Sequence, residues 1–311
     1  MKLNKLVSTL GMEHEDWLTY RRGGIGGSDA GAICGLNPYS TAVNVYLDKI
    51  NKKEETIDNE AMRQGRDFEQ YVAERFTEAT GLKVRRANAI FTNEEHPFMY
   101  ANIDRLLVGE DAGLECKTAN AYGADKWKDG HIPEHYEIQC HHYMAVTGAK
   151  AWYIACVILG IGFVWKKIER DEEIISDLIQ IEKEFWEEHV QKEVMPDPDG
   201  SKAADEIIAQ YYKTAEEGKE IPLNGFDERL KRRTEIDVLV DKLETEKKQI
   251  DQEIKMEMED AELASTNDYR ITWKNTVSNR VDTKTLKEKY PDIYKEVLKQ
   301  GSTRRFLVKQ L

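Results

Sequence analysis

Two acids and a lysine lie where a short turn would bring them together. Asp104 precedes an apolar stretch, the turn GEDAG occupies 109–113, and Glu115, Cys116 and Lys117 follow it. On a strand alternate side chains share a face, so Glu115 and Lys117 point one way while Leu114 and Cys116 point the other. If the hairpin pairs residues whose numbers sum to 219, Asp104 stands opposite Glu115. Directly opposed side chains have Cβ atoms about 4.5–5.5 Å apart. Carboxylates that close repel each other unless a cation lies between them. Oxygen-rich ligation of this kind suits Mg²⁺ or Mn²⁺. Such an ion lowers the pKa of water, and Lys117, one pleat away, is placed to orient the attacking water or help deprotonate it. This is chemistry for hydrolysing phosphodiesters.

The string E-x-K is weak by itself. It recurs at Glu246/Lys248 and Glu253/Lys255 in a highly charged segment, where solvated helix is the plain reading. Glu115 differs in its apolar-flanked strand, its short turn and the acid at the mirror position, although an ordinary exposed hairpin would carry the same residues. Glu69, in GRDFEQ, lies beside the apolar stripe of a predicted helix and could hold a metal-bound water; a surface glutamate is the alternative. Gln139 and Tyr143 are four apart on a predicted helix and project from one face.

The elements that must position these groups follow from periodicity. Phe68, Val72 and Phe76 recur at helical spacing, which predicts a helix over 62–80 closed by Gly81. Lys83–Thr92, Phe98–Val108 and Leu114–Ala119 read as strands. A helix is expected over Glu134–Thr147, stopping at Gly148. The unbroken apolar run 151–159 reads as a buried strand, 163–170 as the next strand, and 171–193 as helix. Near the start, a short helix from Asp16 to Arg22 leads into GGIGGSDAGAI and a second helix ending near Ile50. The polar stretch 51–60 is a loop. A glycine turn opening a helix presents N–H groups to a phosphate, and a nearby arginine adds a bidentate grip. There is no dinucleotide fingerprint, because no G-x-G-x-x-G register fits, and no G-x-x-x-x-G-K-[ST].

MPDPDG at 195–200 marks a boundary. The expected organisation is a domain over 1–195, a linker over 196–225 and a helical extension over 226–311 with short strands at 269–275 and 306–311 flanking a helix over 282–299. The long charged helix over 226–262 carries a narrow stripe of Leu239, Leu243, Ile250, Ile254 and Met258. It is either a solvated helix packed on its own domain or a coiled-coil surface.

The chain has 311 residues, 40% of them hydrophobic, which excludes a wholly disordered protein. No apolar run is long enough to span a membrane, and the start lacks a secretory h-region, so a cytoplasmic location is expected. Cys34, Cys116, Cys140 and Cys156 are scattered, without C-x-x-C spacing, as buried thiols in a reducing compartment would be. The net charge of −13 is uneven: residues 1–170 carry 21 basic and 24 acidic groups, 171–270 carry 14 and 30, and 271–311 carry 10 and 4. Global charge therefore does not exclude DNA as a partner.

Taken in order, GR-x-x-E around Glu69, N-I-D-R around Asp104, L-E-C-K around Glu115 and Q-x-x-x-Y from Gln139 resemble the PD-(D/E)XK nucleases. With RRGGIGGSDAGAICGLNPY, the chain resembles more closely the YqaJ-type viral recombinase family, relatives of phage lambda exonuclease, over roughly residues 13–190. The resemblance implies an α/β (α+β) restriction-endonuclease-like core, a central mixed sheet flanked by helices. It implies that Asp104, Glu115, Glu69 and the Cys116 carbonyl serve Mg²⁺ or Mn²⁺, that Lys117 is catalytic, and that Gln139 and Tyr143 complete the site and touch DNA. Arg21, with Ser28, matches the pair that grips a terminal 5′-phosphate, and the adjacent Arg22 could take its place. The activity implied is a 5′→3′ exonuclease on double-stranded DNA ends in a bacterial host cell. It would leave 3′ single strands for an annealing partner in phage-type recombination, and relatives form rings around DNA. Asn102-Ile103 stands where many relatives have proline or serine before the acid.

Other classes stay open. His131, His135, His141 and His142 are a zinc alternative, but Pro133 places His131 before the helix. A catalytically silent DNA-end-binding recombination scaffold would fit a site lacking Asp104, Glu115 or Lys117, and all three are present. An interaction protein built on 226–262 leaves the glycine turn and the hairpin acids unexplained.

Overall fold

The computed structural model describes residues 1–52, 59–299, 301 and 304–309. Residues 53–58 of the expected loop, and the last two of 306–311, lie outside the described residues. Contacts divide the chain into two units, Met1–Lys213 and Thr214–Leu311. The first unit begins with β1 (Lys5–Ser8), α1 (His14–Arg22), β2 (Ile25–Gly26), α2 (Gly27–Ile33), α3 (Ala42–Lys49) and α4 (Glu60–Thr80). Strands β3 (Val84–Arg86), β4 (Ala89–Thr92), β5 (Met99–Asn102), β6 (Arg105–Leu107) and β7 (Ala112–Ala119) follow, then a 3₁₀ stretch over Ala121–Gly130. Next come α5 (Glu134–Thr147), β8 (Ala151–Ile158), β9 (Gly162–Glu169), α6 (Glu172–Glu184), a π-helical continuation over Phe185–Val190, and α7 (Lys202–Tyr211).

The central sheet has the order β3-β6-β7-β8-β9. It is mixed: β7 and β8 run parallel and the other neighbours antiparallel. Every residue of β8 is buried because helices cover both faces. Trp152, Ile154 and Cys156 pack with Cys140 and Met144 of α5, while Tyr153 and Ala155 pack with Val72 and Phe76 of α4. That double burial produces an apolar run with no alternation. Helix α4 starts where the Asn59 side chain accepts the Met62 N–H, and it ends at Gly81, whose φ of 75° is the left-handed cap glycine favours. Helix α5 ends the same way at Gly148.

Three expectations are corrected in this unit. Lys83–Thr92 and Phe98–Val108 are not single strands. Each breaks, and its halves join different sheets: β3 and β6 the central one, β4 and β5 a second sheet of order β1-β4-β5-β2. Asn88, with φ of 48°, turns the chain at the first break, and Asp104 lies in the second. The helix ending near Ile50 is two helices, α2 and α3. Beyond the proline-rich 195–200, α7 buries Ala204 and Ile207, the latter beside Val43 and Phe185, so the contacts of the first unit continue to Lys213.

The second unit contains α8 (Asp227–Met258), a β10 (Leu263–Ser265) and β11 (Arg270–Thr272) hairpin, α9 (Thr283–Lys289) and α10 (Pro291–Val297). The single helix expected over 282–299 is split at Pro291. Residues 306–309 form no strand. Along α8, Leu239, Leu243 and Ile250 stay at least half exposed, and only Met258 is buried. No described helix is long and apolar enough to cross a membrane.

Candidate active site

The hairpin register is the expected one. Arg105 pairs with Leu114 and Leu106 with Gly113, which sets Asp104 against Glu115 one step further out. Gly113 has no side chain for a reason: a Cβ there would lie 2.2 Å from the Trp152 indole. Cys116 turns its thiol toward the α4 side of the sheet, and its N–H donates to Asp104 Oδ2 at 2.9 Å. Burial first, then the Glu115 and Glu69 carboxylates, push the Asp104 carboxyl well above its ordinary range.

Glu115, Lys117, Gln139 and Tyr143 form one network. Lys117 Nζ donates to Glu115 Oε1 at 2.6 Å and to Gln139 Oε1 at 3.1 Å. Gln139 Nε2 donates to Glu115 Oε1 at 2.8 Å and to the Tyr143 hydroxyl at 2.9 Å. The second Glu115 oxygen, Oε2, is buried without a hydrogen-bond partner. A buried carboxylate oxygen left that way is costly, and beside the crowded Asp104 it is what a site for a cation looks like. Among the described residues, no group of three His, Cys, Asp or Glu side chains lies close enough to hold an ion. Glu69 forms an ion pair with buried Arg105 Nη1, and that guanidinium also reaches Gln70 at 3.1 Å and the Asp104 carbonyl at 2.7 Å. Burial works to lower the Lys117 pKa, but Glu115, then Tyr136 and Asp104, outweigh it and hold the ammonium above the usual lysine range.

Arg21 Nη2 donates to Ser28 Oγ at 3.1 Å, while Arg22 turns to Asp48, 3.7 Å away. Of the two arginines, Arg21 is therefore the one joined to Ser28. Three amides of the glycine turn are already engaged within the chain. The N–H of Gly23 goes to the Tyr20 carbonyl, that of Ile25 to the Phe98 carbonyl, and that of Gly26 to Asp29. The glycines also serve close packing. A Cβ on Gly27 would come within 2.6 Å of the Tyr143 ring, and one on Gly31 within 3.1 Å of the His135 Cα. They let α2 lie against α5, the helix that carries Gln139 and Tyr143.

Several participants escaped sequence reasoning. Asp29 bridges Arg21 and the buried Lys49; its position after Ser28 was a signal, and Lys49 gave none. Arg105 clamps Glu69, and the Tyr136 ring centroid lies 4.5 Å from Lys117 Nζ. The histidines are dispersed: His131 bonds the Lys126 carbonyl, His141 the Glu137 carbonyl, and His142 pairs with Glu182. His135 is lowered to about 4 by burial, then by Lys117 and Lys126.

The mixed sheet with helices on both faces has the fold of a solved exonuclease. The chain matches the alkaline exonuclease of Laribacter hongkongensis with a TM-score of 0.50 at 18% identity, over 65% of this chain and 100% of that one. It matches the complex of that exonuclease with dAMP at 0.51 and 20%, over 64% and 98%. Residues 16–150 match the YqaJ-like viral recombinase domain. Over 304 residues the chain is 41% identical to the protein YqaJ of Bacillus subtilis (strain 168), covering 96% of this chain and 95% of that protein. The chain belongs to the YqaJ-like viral recombinase family.

Proposed function

We propose that the protein is a divalent-metal-dependent exonuclease that degrades double-stranded DNA from its ends. It runs 5′→3′ and leaves 3′ single strands for an annealing partner in phage-type recombination. The observation that carries this reading is the buried Glu115–Lys117–Gln139–Tyr143 network facing Asp104, with Glu115 Oε2 free of partners. Family membership and the exonuclease fold support it.

Asp104, Glu115 and the Cys116 carbonyl are the residues to hold Mg²⁺ or Mn²⁺, with Glu69 as the further carboxylate. The ion supplies Lewis acidity at the scissile phosphate. Gln139 fixes Glu115 and Lys117 relative to one another, and Lys117 brings a positive charge to the reacting group. Arg21 and Ser28 receive the terminal 5′-phosphate. We propose a ring-shaped homo-oligomer that encloses DNA; the acidity is concentrated in 171–270, and the first 170 residues are near neutral. The deciding experiment is digestion of linear duplex, with or without a 5′-phosphate, in Mg²⁺ or EDTA, with the remaining strand mapped. Degradation that is insensitive to EDTA, or that consumes the 3′-ended strand, overturns the reading.

Two results are expected of the site residues. Asp104→Asn and Glu115→Gln each lose metal-dependent cleavage. They also differ from wild type in thermal melts. Because its folded pKa is raised, Asp104 contributes stability below its ordinary value near 3.8 that is lost as pH rises through the folded value. At pH 7 without metal, Asp104→Asn therefore melts above wild type, and adding Mg²⁺ reverses the order. Melting curves unaffected by metal in wild type and variant alike would remove the shared site.

Arg21→Ala weakens the preference for 5′-phosphorylated ends. A charge-assisted pair is worth about 1.5–3 kcal/mol, so the preference falls by roughly one to two orders of magnitude. Arg22→Ala, the control, leaves it in place. Initial rates on duplexes differing only at the 5′ group measure it; equal slowing of both by Arg21→Ala would place phosphate recognition elsewhere.

A further inference from the structure

Arg21 is held by a carboxylate that ought to defeat its purpose. Its Nη2 donates to Asp29 Oδ1 at 2.7 Å, and a guanidinium paired with a carboxylate has no net charge to offer an incoming phosphate. Asp29 would also repel that phosphate directly. The structure contains the remedy. Lys49 Nζ, on α3, donates to the other oxygen, Asp29 Oδ2, at 2.7 Å, and the Gly26 N–H donates to that same oxygen at 3.0 Å. The Lys49 side chain is 0% exposed. Its ammonium also reaches the Arg21 carbonyl at 3.2 Å and lies 3.9 Å from Asp48, whose other oxygen faces Arg22 at 3.7 Å.

A lysine enclosed this completely is expensive to desolvate and needs a partner; Asp29 is that partner. The charges then add usefully. Arg21 and Asp29 cancel, Arg22 and Asp48 cancel, and Lys49 leaves the cluster with one net positive charge. The large opposing influences on Asp29 agree with this: burial works to raise its pKa, and Lys49, then Arg21, outweigh burial and hold the carboxyl well below the usual range.

We propose that Lys49 is a positioning residue for terminal-phosphate recognition: it neutralises Asp29, so that Asp29 can orient Arg21 toward Ser28 without cancelling its charge. The proposal rests on the reading of Arg21 and Ser28 as the phosphate grip. It makes a prediction that a merely structural lysine does not. Removing Lys49 alone leaves the cluster neutral, whereas removing both Lys49 and Asp29 charges leaves Arg21 uncancelled.

The test is binding of the full chain, in EDTA, to labelled duplexes that differ only in a 5′-phosphate, followed by fluorescence anisotropy. The readout is the ratio of the two affinities. For Lys49→Met the ratio is expected to fall about tenfold. In the double variant Lys49→Met/Asp29→Asn it recovers to within about threefold of wild type, and Lys49→Arg retains it. A double variant as impaired as Lys49→Met, or a Lys49→Met ratio equal to wild type while Arg21→Ala has lost it, overturns the proposal. If Arg21→Ala keeps the wild-type ratio, the phosphate reading itself falls, and the proposal with it. Should Lys49→Met fail to fold, Lys49→Gln, which keeps a donor to Asp29 without the charge, takes its place in the same comparison.

Discussion

Lys117→Ala abolishes cleavage, by at least a hundredfold, while DNA ends are still bound. The side chain sits 2.6 Å from Glu115 Oε1, is held by Gln139 and has its ammonium against the Tyr136 ring. In the metal-free protein Glu115, then Tyr136 and Asp104, outweigh burial and hold it charged. The role proposed for it is to offer positive charge and a donor to the reacting phosphate and water. Groups positioned in this way contribute about 10²–10⁴ in rate. The stability cost is larger than an exposed lysine would carry, because the Glu115 side chain is only 4% exposed and loses its cation. The metal-free variant should melt below wild type, with Mg²⁺ narrowing the gap. Single-turnover rates on saturated enzyme check the assignment. A variant that keeps more than about a tenth of the wild-type rate, a barrier change under about 1.4 kcal/mol, would remove Lys117 from the chemistry.

The largest effect on stability is expected at the pair His142–Glu182, both fully buried. His142 Nδ1 lies 2.7 Å from Glu182 Oε1, and Nε2 lies 2.8 Å from the Tyr100 carbonyl. A carbonyl only accepts, so Nε2 carries a proton, and the pair as a whole holds one proton more than a neutral imidazole beside a carboxylate. Removing Glu182 while His142 remains, as in Glu182→Ala, strands an imidazole nitrogen in the core and costs about 3–5 kcal/mol. Replacing both, as in His142→Phe/Glu182→Leu, recovers much of that loss. Burial works to lower the His142 pKa, but Glu182 outweighs it and the value is raised. The sign follows: the pair's contribution is fully present below the ordinary histidine value near 6.5 and declines as pH rises through the raised one. Urea midpoints from pH 6 to pH 9 measure this. A wild-type slope no steeper than that of the double variant would show that the pair holds no extra proton.

Local signals were legible and long-range pairing was not. The hairpin register could be read because alternation and the turn at Gly109 act within a dozen residues; the ends of α4 and α5 could be read because Gly81 and Gly148 stand where only glycine is at ease. Lys83–Thr92 and Phe98–Val108 misled because both halves of each are extended, and the breaks between them, at Asn88 and Asp104, carry no glycine or proline. Over 306–309, the described part of another predicted strand, an apolar pattern did not suffice. The glycine string has a second role that its sequence does not announce, the absence of side chains against Tyr143 and Tyr100. Lys49, Asp29, Arg105 and Glu182 were overlooked for a common reason. Charged residues on helices and strands are normally solvated, and what buries these is a partner 20, 36 or 40 positions away.

The N–H of Cys116 donates to the Asp104 side chain, and this gives the site a spectroscopic handle. The amide proton resonance of that one residue senses the charge on Asp104 directly. It should titrate with the carboxyl, shift abruptly when a cation takes the proton's place, and lose both responses in Asp104→Asn. The amides of Ala155 and Cys156, on the parallel neighbour strand, provide an internal standard that stays still. Occupancy could then be followed by NMR in the absence of DNA and of turnover, so that a silent variant can be sorted into one that fails to bind the ion and one that binds it and fails afterwards.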